Sequence, residues 1–195
     1  MRHVKVFLEN IPGSPYSQSA KHQTPFLDRE SHDDFDIRTW RKKCTINKDG
    51  QVSIPAMAFK QAIDNAAYKL GEKIPGRKGA GYKAFFASGF FCDADVPISN
   101  GKPIKPEDAV CVLISANADG KRGSGSRVPR RFPSFPKWSG VAEFTILDDV
   151  ITQDVFERHV KAAGMVTGIG RFRPEKGGTN GRFRPTKFEW KDFTL

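Results

Sequence analysis

Residues 3–9 alternate: Val4, Val6 and Leu8 fall between His3, Lys5, Phe7 and Glu9. A period of two predicts a half-buried strand. The period then disappears over residues 10–39, where Pro12, Pro15 and Pro25 mark a long polar loop, of a length that is usually functional or mobile in a compact domain. Residues 40–47 and 51–54 flank Lys48-Asp49-Gly50, a hairpin signal. At Ile54-Pro55 the pattern becomes helical and runs to about Leu70, with proline near the first helical position. Phe59, Ala62, Ile63, Ala66 and Leu70 share one face, and Gly71 stops the helix.

After a basic stretch at 71–83, residues 84–92 (AFFASGFFC) and 109–116 (AVCVLISA) are short apolar runs that predict buried strands. Pro97, Pro103 and Pro106 make the segment between them a loop. Residues 139–147 supply another strand. Thr152 is a good N-cap for a second helix, with Ile151 and Phe156 placed as a hydrophobic staple. Val155, Phe156, Val160 and Ala163 form its apolar side and Gly164 ends it. A final strand covers about 182–190. Without loops the order is β, hairpin, α, β, β, β, α, β. It contains β-α-β-β-α-β, the order of a ferredoxin-like α+β fold, an antiparallel sheet with two helices on one face. The expectation is a single RRM-like domain over 1–195 with insertions at about 10–39, 71–83 and 117–137. Its other sheet face is open, and RNA-recognition domains stack bases on aromatics of such a face.

Composition narrows the classes. Of 195 residues 38% are apolar and 28% charged, the balance of a soluble folded chain. No apolar run approaches the length of a bilayer-spanning helix, and the first residues read as a strand rather than a secretion signal. No membrane partner is expected. Cys44, Cys92 and Cys111 are odd in number and widely spaced, which argues against a disulfide framework or zinc site and fits a reducing cytoplasm.

The net charge of +10 is unevenly placed. Residues 117–137 carry net +5, residues 166–188 another +5 and residues 71–83 add +3, which leaves −3 for the remainder. Basicity gathered into three Gly-rich segments is the pattern of a protein that grips a polyanion; the bland alternative is solvated loop charge. The cations concerned are Arg77 and Lys78 in the first segment. The second supplies Lys121, Arg122, Arg127, Arg130 and Arg131, and the third Arg171, Arg173, Lys176, Arg182 and Arg184.

The third segment repeats itself. Arg171-Phe172-Arg173-Pro174 returns as Arg182-Phe183-Arg184-Pro185 across a turn-rich connector. If both copies are extended, the arginines of each share a face opposite its phenylalanine. Such arms present up to four guanidinium groups, whose forks suit phosphate. The phenylalanines are core anchors or base-stacking platforms, and packing is the commoner use. The same choice arises for Phe132, Phe135 and Trp138, interleaved with Arg130, Arg131 and Lys137: rings that stack bases beside a basic track, or rings that close the core.

The stretch Ile54-Pro55-Ala56-Met57-Ala58-Phe59-Lys60-Gln61-Ala62-Ile63 resembles the first-helix entry of the RAMP superfamily, the repeat-associated proteins of CRISPR effector complexes. Residues 163–181, AGMVTGIGRFRPEKGGTNG, resemble the glycine-rich loop after that family's last helix. The two patches cover part of the chain, and the doubled R-F-R-P lies outside the family pattern. The resemblance implies a ferredoxin-like fold, backbone-like assembly along a guide RNA, and RNA-contacting positions at Lys60, Gly168, Gly170, Arg171 and Arg173. It also implies a thumb-like insertion at 117–137. The chain is short for a backbone subunit, which suits a small stand-alone phage or prophage relative.

Some members of that superfamily cleave RNA with a histidine as general acid or base. Here His22 and His32 lie near Asp28, Asp33, Asp34 and Asp36, a set able to hold a divalent ion, although a solvated acidic loop is the simpler reading. His159 is placed as a helix boundary residue. Glu189-Trp190-Lys191 is only the tail of a nuclease pattern, and Gly101-Lys102 and Gly120-Lys121 lack the P-loop spacing. No catalytic residue, metal or cofactor is assigned. The sequence predicts a non-enzymatic protein that binds single-stranded nucleic acid, RNA ahead of DNA, without sequence specificity. It is expected to self-associate or join a nucleoprotein complex. The alternatives are a protein that docks on or mimics a subunit of a host nucleoprotein complex, and a metal- or histidine-dependent nuclease.

Overall fold

The structure is a computed structural model and describes residues 1–117 and 126–192. The alternating segment is a strand, β1 (Arg2–Asn10), with Val4, Val6 and Leu8 buried. A short strand, β2 (Tyr16–Ser17), follows. The expected 10–39 loop also contains a helix, α1 (His32–Thr39), capped by Ser31, whose hydroxyl accepts from the Asp34 amide. A 3-10 turn over Trp40–Lys43 leads to β3 (Ser53–Ile54), and the expected hairpin shrinks to one bridge between Ile46 and Val52. Helix α2 (Ala56–Leu70) begins after Pro55 and ends at Gly71, whose φ of 60° is the left-handed cap that glycine accepts without strain.

A short helix, α3 (Lys83–Ser88), precedes β4 (Phe90–Cys92) and β5 (Val96–Ser99). The long strands β6 (Val110–Asn117), β7 (Arg127–Phe135) and β8 (Ser139–Ile146) come next. Helix α4 (Gln153–Ala162) is capped by Thr152, and β9 (Phe183–Asp192) closes the set.

β4, β8, β1 and β9 lie side by side in that order, all antiparallel, while β5 also pairs with β8 and carries β3 on its far side. The order is that of the ferredoxin-like fold, with α2 and α4 as its two helices. Phe59, Ile63, Phe156 and Val160 of those helices share one core with Val4, Val6, Ala142 and Phe144 of the central strands. Phe156 ties α4 to the sheet, with ring centroids 5.6 Å from Phe90, 5.3 Å from Phe144 and 5.8 Å from Trp190. A second, smaller sheet has the order β2-β7-β6.

Several elements differ from the sequence reading. Half of the expected strand at 84–92 is α3, because an unbroken apolar run does not distinguish a buried helix from a buried strand. Gly89 separates the two parts; a Cβ there would lie 2.5 Å from the Phe85 carbonyl oxygen. Residues 109–116 do form a strand, β6, but it sits on the second sheet with much of its surface exposed. Part of the expected proline-rich loop is β5, and part of the expected basic loop at 117–137 is β7. Gly164 does not end α4. A π-helical turn carries the helix to Thr167, and Gly164 is needed where the Phe183 carbonyl oxygen approaches within 2.0 Å of a would-be Cβ.

Candidate nucleic-acid interface

The glycine-rich loop after α4 is bound to the N-terminal part of the chain. The Arg171 amide donates to the Ser17 carbonyl at 2.9 Å and the Gly181 amide to the Pro15 carbonyl at 2.9 Å. Gly170 has a φ of 74°, and a Cβ there would stand 2.5 Å from the Ser17 carbonyl oxygen. Gly168, with a φ of 66°, would meet Pro174 at 2.6 Å. Both glycines serve the path of the loop and its close approach to β2.

That path breaks the symmetry of the doubled motif. The second copy lies on β9 with Phe183 fully buried and Arg184 exposed, as alternation requires. The first copy is not a strand. Phe172 has a φ of 54°, which L-residues resist, and its side chain is 41% exposed. It is no core anchor.

Arg171, just before it, stacks on β7. Its guanidinium carbon is 3.5 Å from the Phe132 ring centroid and 5.0 Å from that of Phe172. Its Nε is buried without a hydrogen-bond partner, and burial draws its pKa below the ordinary arginine value. Arginine remains a cation at neutral pH even so. Among the described residues no carboxylate pairs with it. The side chain opens onto a groove of about 330 Å³ whose lining includes Ser17, Gln18, Pro55, Ala58, Gly170 and Arg173. The groove therefore runs between the glycine-rich loop, β2 and the start of α2.

Other cations singled out by the sequence are paired with acids or carbonyls of the chain itself. Lys60 pairs with Asp64 at 2.5 Å, donates to the Phe86 carbonyl at 2.9 Å and lies over the Phe90 ring. Its ammonium faces the helix and core, so the family-derived role as an RNA contact gives way to a structural one. Burial raises the Asp64 pKa, and the Lys60 hydrogen bond opposes that shift. Arg131 is held by Asp33 at 2.6 Å, and that hydrogen bond raises its pKa. Arg173 pairs with Glu175 at 2.9 Å and donates to the Gly170 carbonyl, shaping the groove wall. Arg184 pairs with Glu9 at 2.5 Å beside a hollow of about 540 Å³. Arg182 donates to the Met165 and Thr179 carbonyls.

Trp138 is 1% exposed and edge-on to Tyr16, so it cannot stack a base. Phe132 and Phe135 are buried as well. Phe132 instead supports cations: Lys43 Nζ stands 4.7 Å from the ring that Arg171 also covers. Lys43 in turn pairs with the buried Asp36 at 2.5 Å, which also accepts from the Arg131 amide at 2.6 Å. Of the aspartates near His22 and His32, Asp33 and Asp36 thus fasten α1 to β7 and Asp34 accepts from the capping Ser31, while the His22 and His32 rings pack on Phe35 and Phe26. Lys43 escaped sequence reasoning, and for Phe172 the commoner of the two readings, packing, gives way to exposure. The available signal for Phe172 was its place in a glycine-rich segment, where alternation has no meaning.

The remaining cations fall in two places. Arg130 lies two residues from Phe132 on the same face of β7, and Arg127 is exposed at the start of that strand. Lys176, on the glycine-rich loop, is exposed with no ion pair among the described residues. Arg77 and Lys78 are exposed too, but they follow the C-terminus of α2. The groove meets the N-terminus, and fifteen helical residues put about 22 Å between those ends. The structure brings together two of the three basic segments. Lys121 and Arg122 lie outside the described residues.

On the helix-free face of the main sheet, His3 Nε2 is 2.8 Å from Asp93 and 3.4 Å from Glu143, three groups close enough to share a metal ion. Lys5 already pairs with Glu143 at 2.9 Å. Lys187–Glu189 adds to the mixed charge of this face. Its aromatics include Phe7, under the Lys187 ammonium at 5.5 Å, and the exposed Phe91 opposite Thr145, set among these charges.

No family model matches the chain, and no curated protein matches it. Among solved structures it is similar to Cmr6 from Pyrococcus furiosus, at 14% identity over 95% of this chain and 99% of that one, with a TM-score of 0.49. It is also similar to a chain of the Type III-B Cmr-beta complex bound to cognate target RNA. There the identity is 12%, over 97% of this chain and 60% of that chain, with a TM-score of 0.48. A third is a chain of a CRISPR RNA-guided surveillance complex, at 14% identity over 99% and 71% of the two chains, with a TM-score of 0.38.

Proposed function

We propose that the protein binds single-stranded nucleic acid along the groove between the glycine-rich loop, β2 and the start of α2, continuing onto the β7 face. One observation carries this reading: Arg171 is a partly buried cation, held on an aromatic ring, with no carboxylate partner among the described residues. Burying such a charge is unfavourable unless an anion completes the site. The protein neutralises Lys60, Arg131, Arg173 and Arg184 with its own acids, whereas Arg171 is left for an external one. A phosphate fits the guanidinium fork. Phe172, exposed beside it, supplies a stacking surface for a base. Among the described residues the cations named here suit phosphate rather than base edges, and the proposed binding is without sequence specificity. The preference for RNA over DNA, and work within a nucleoprotein assembly, rest on the family resemblance of residues 54–63 and 163–181.

Fluorescence-anisotropy titrations of single-stranded RNA, single-stranded DNA and duplex DNA at several salt concentrations test the proposal. Salt-sensitive binding to single strands is expected. Arg171→Gln should lower the slope of log affinity against log salt by about 0.7, the share of one phosphate contact. Equal affinity at low and high salt, or an unchanged slope in the variant, contradicts it. Tight capture of a nucleoprotein complex with no binding to free oligonucleotide favours the docking-protein alternative.

A further inference from the structure

β6 is the outer strand of the second sheet and, among the described residues, pairs only with β7. Its register fixes which backbone groups face away. Cys111 and Ser115 lie opposite Pro133 and Pro129, which have no amide hydrogen to give. Leu113 lies opposite Arg131, whose amide donates to Asp36 on α1 instead. In an antiparallel pair, hydrogen-bonded and non-hydrogen-bonded positions alternate. Cys111, Leu113 and Ser115 are therefore the non-hydrogen-bonded set toward β7, and their own N–H and C=O groups point outward. Among the described residues those groups meet no backbone partner.

Open edges are normally guarded by charge, proline or a bulge. β9, an outer strand of the main sheet, has all three: Arg184, Lys187 and Lys191, Pro185, and a register shift opposite Phe7/Leu8. β6 has none. It reads Val-Cys-Val-Leu-Ile-Ser-Ala-Asn, eight residues without charge, proline or glycine, with Val110 and Leu113 51% and 57% exposed. Nothing in its own sequence keeps another strand away.

We propose that β6 is covered by β6 of a second copy of this chain, antiparallel about a twofold axis at Leu113. In that register Leu113 faces its own counterpart, Cys111 faces Ser115 of the second copy, and every outward pair exchanges two hydrogen bonds. The edge is self-complementary, as a twofold interface requires. Charge selects the antiparallel sense. Arg127 sits opposite Asn117, at one end of β6, while Arg130, opposite Ile114, lies one residue from the axis in either sense. Antiparallel pairing sends the two basic ends apart, whereas parallel pairing would stack them. The result is a continuous sheet of the order β2-β7-β6-β6-β7-β2. This inference does not depend on the nucleic-acid reading.

Light scattering on the full chain after gel filtration, under reducing conditions, tests the dimer. The wild type should run at twice the chain mass, and Leu113→Lys should halve that mass with an unchanged far-UV circular-dichroism spectrum, its melt losing the concentration dependence that dimerisation gives the wild type. Leu113 is exposed and its amide lies outside the β6–β7 ladder, so the variant spares the hairpin. Register is tested by oxidising Ser115→Cys. Hydrogen-bonded partners have Cα atoms about 5.5 Å apart, within disulfide reach of Cys111 of the other copy. Cys44 and Cys92 are buried, their thiols pushed up to about 12 by burial, and do not compete. A cross-linked dimer should form, and adding Cys111→Ser should abolish it, because the substituted positions of the two copies are about 13 Å apart in this register. A wild type that is monomeric at all concentrations, a dimer unmoved by Leu113→Lys, or cross-linking that survives Cys111→Ser each overturns the proposal.

Discussion

Replacing Phe172 by alanine and by glycine separates the strain of the loop from its use. The φ of 54° costs an L-residue roughly 1–2 kcal/mol, and glycine escapes that cost. In ordinary structured positions glycine is less stable than alanine by about 0.5–1 kcal/mol. At 172 the strain outweighs that penalty, so Phe172→Gly should be more stable than Phe172→Ala by about 0.5–1 kcal/mol. Both lose the ring. A fully buried Phe→Ala change costs about 3–5 kcal/mol. With the side chain 41% exposed, Phe172→Ala should cost about 2 kcal/mol. Urea denaturation reads both differences, and alanine equal to or better than glycine refutes the strain argument. In anisotropy titrations the two variants should bind single strands more weakly by about 1–3 kcal/mol, roughly 5- to 150-fold, through lost stacking. No charge is removed, so the salt slope should not move. Affinity within twofold of wild type sinks the stacking role.

Further outcomes follow from other contacts. His159 is buried against Phe86, with centroids 4.3 Å apart, and burial holds its pKa below the usual value. The unfolded chain takes up that proton near pH 6.5, the folded one only at lower pH. Its contribution is therefore intact above about pH 6.5 and is lost as pH falls, by at most about 1.4 kcal/mol per pH unit. In urea melts between pH 8 and 5 the wild type should lose stability relative to His159→Phe as pH falls, and parallel curves argue against it. Gly181→Ala should cost more than about 3 kcal/mol, because its Cβ would lie 1.8 Å from the Ile169 carbonyl oxygen. Gly177→Ala, with a φ of 80° but open space around it, should cost only about 1–2 kcal/mol. Thermal melts that rank the two equally refute the packing explanation. Lys60→Met should leave single-strand affinity unchanged and lower stability by about 1–3 kcal/mol through the orphaned Asp64; a large loss of affinity would restore Lys60 to the binding site.

Period and capping made the ferredoxin-like frame legible. β1, α2 and α4 follow directly from the alternation at Val4, Val6 and Leu8, from Pro55 and Gly71, and from Thr152. The second sheet was hidden because β6 looks like a core strand while its exposure is set by tertiary placement, and because the prolines of β7 read as loop. α1 was hidden by polar composition; its stability comes from Ser31 and from Asp33 and Asp36 gripping β7. At the site, Arg171 was legible as a cation, but its distinction from Arg173 and Arg184 was not. That distinction lies in which acids the fold delivers, namely Glu175 and Glu9. Trp138 was misplaced because a tryptophan next to basic residues has the same local sequence whether it stacks a base or closes a core.

The ties between the glycine-rich loop and the Pro15–Ser17 segment also set a schedule for the life of the molecule. Ser14 Oγ bonds the Thr179 carbonyl at 2.6 Å across 165 residues of sequence, and Gly181 reaches back to Pro15. Contacts of such long range form slowly and late. While a ribosome is still making the chain, β1 waits without β8 or β9, and the groove has one wall. On the proposed reading of the groove, a nascent chain has no preformed grip on the messenger that encodes it, and capture of a strand would begin only after residues 168–181 have emerged and folded back.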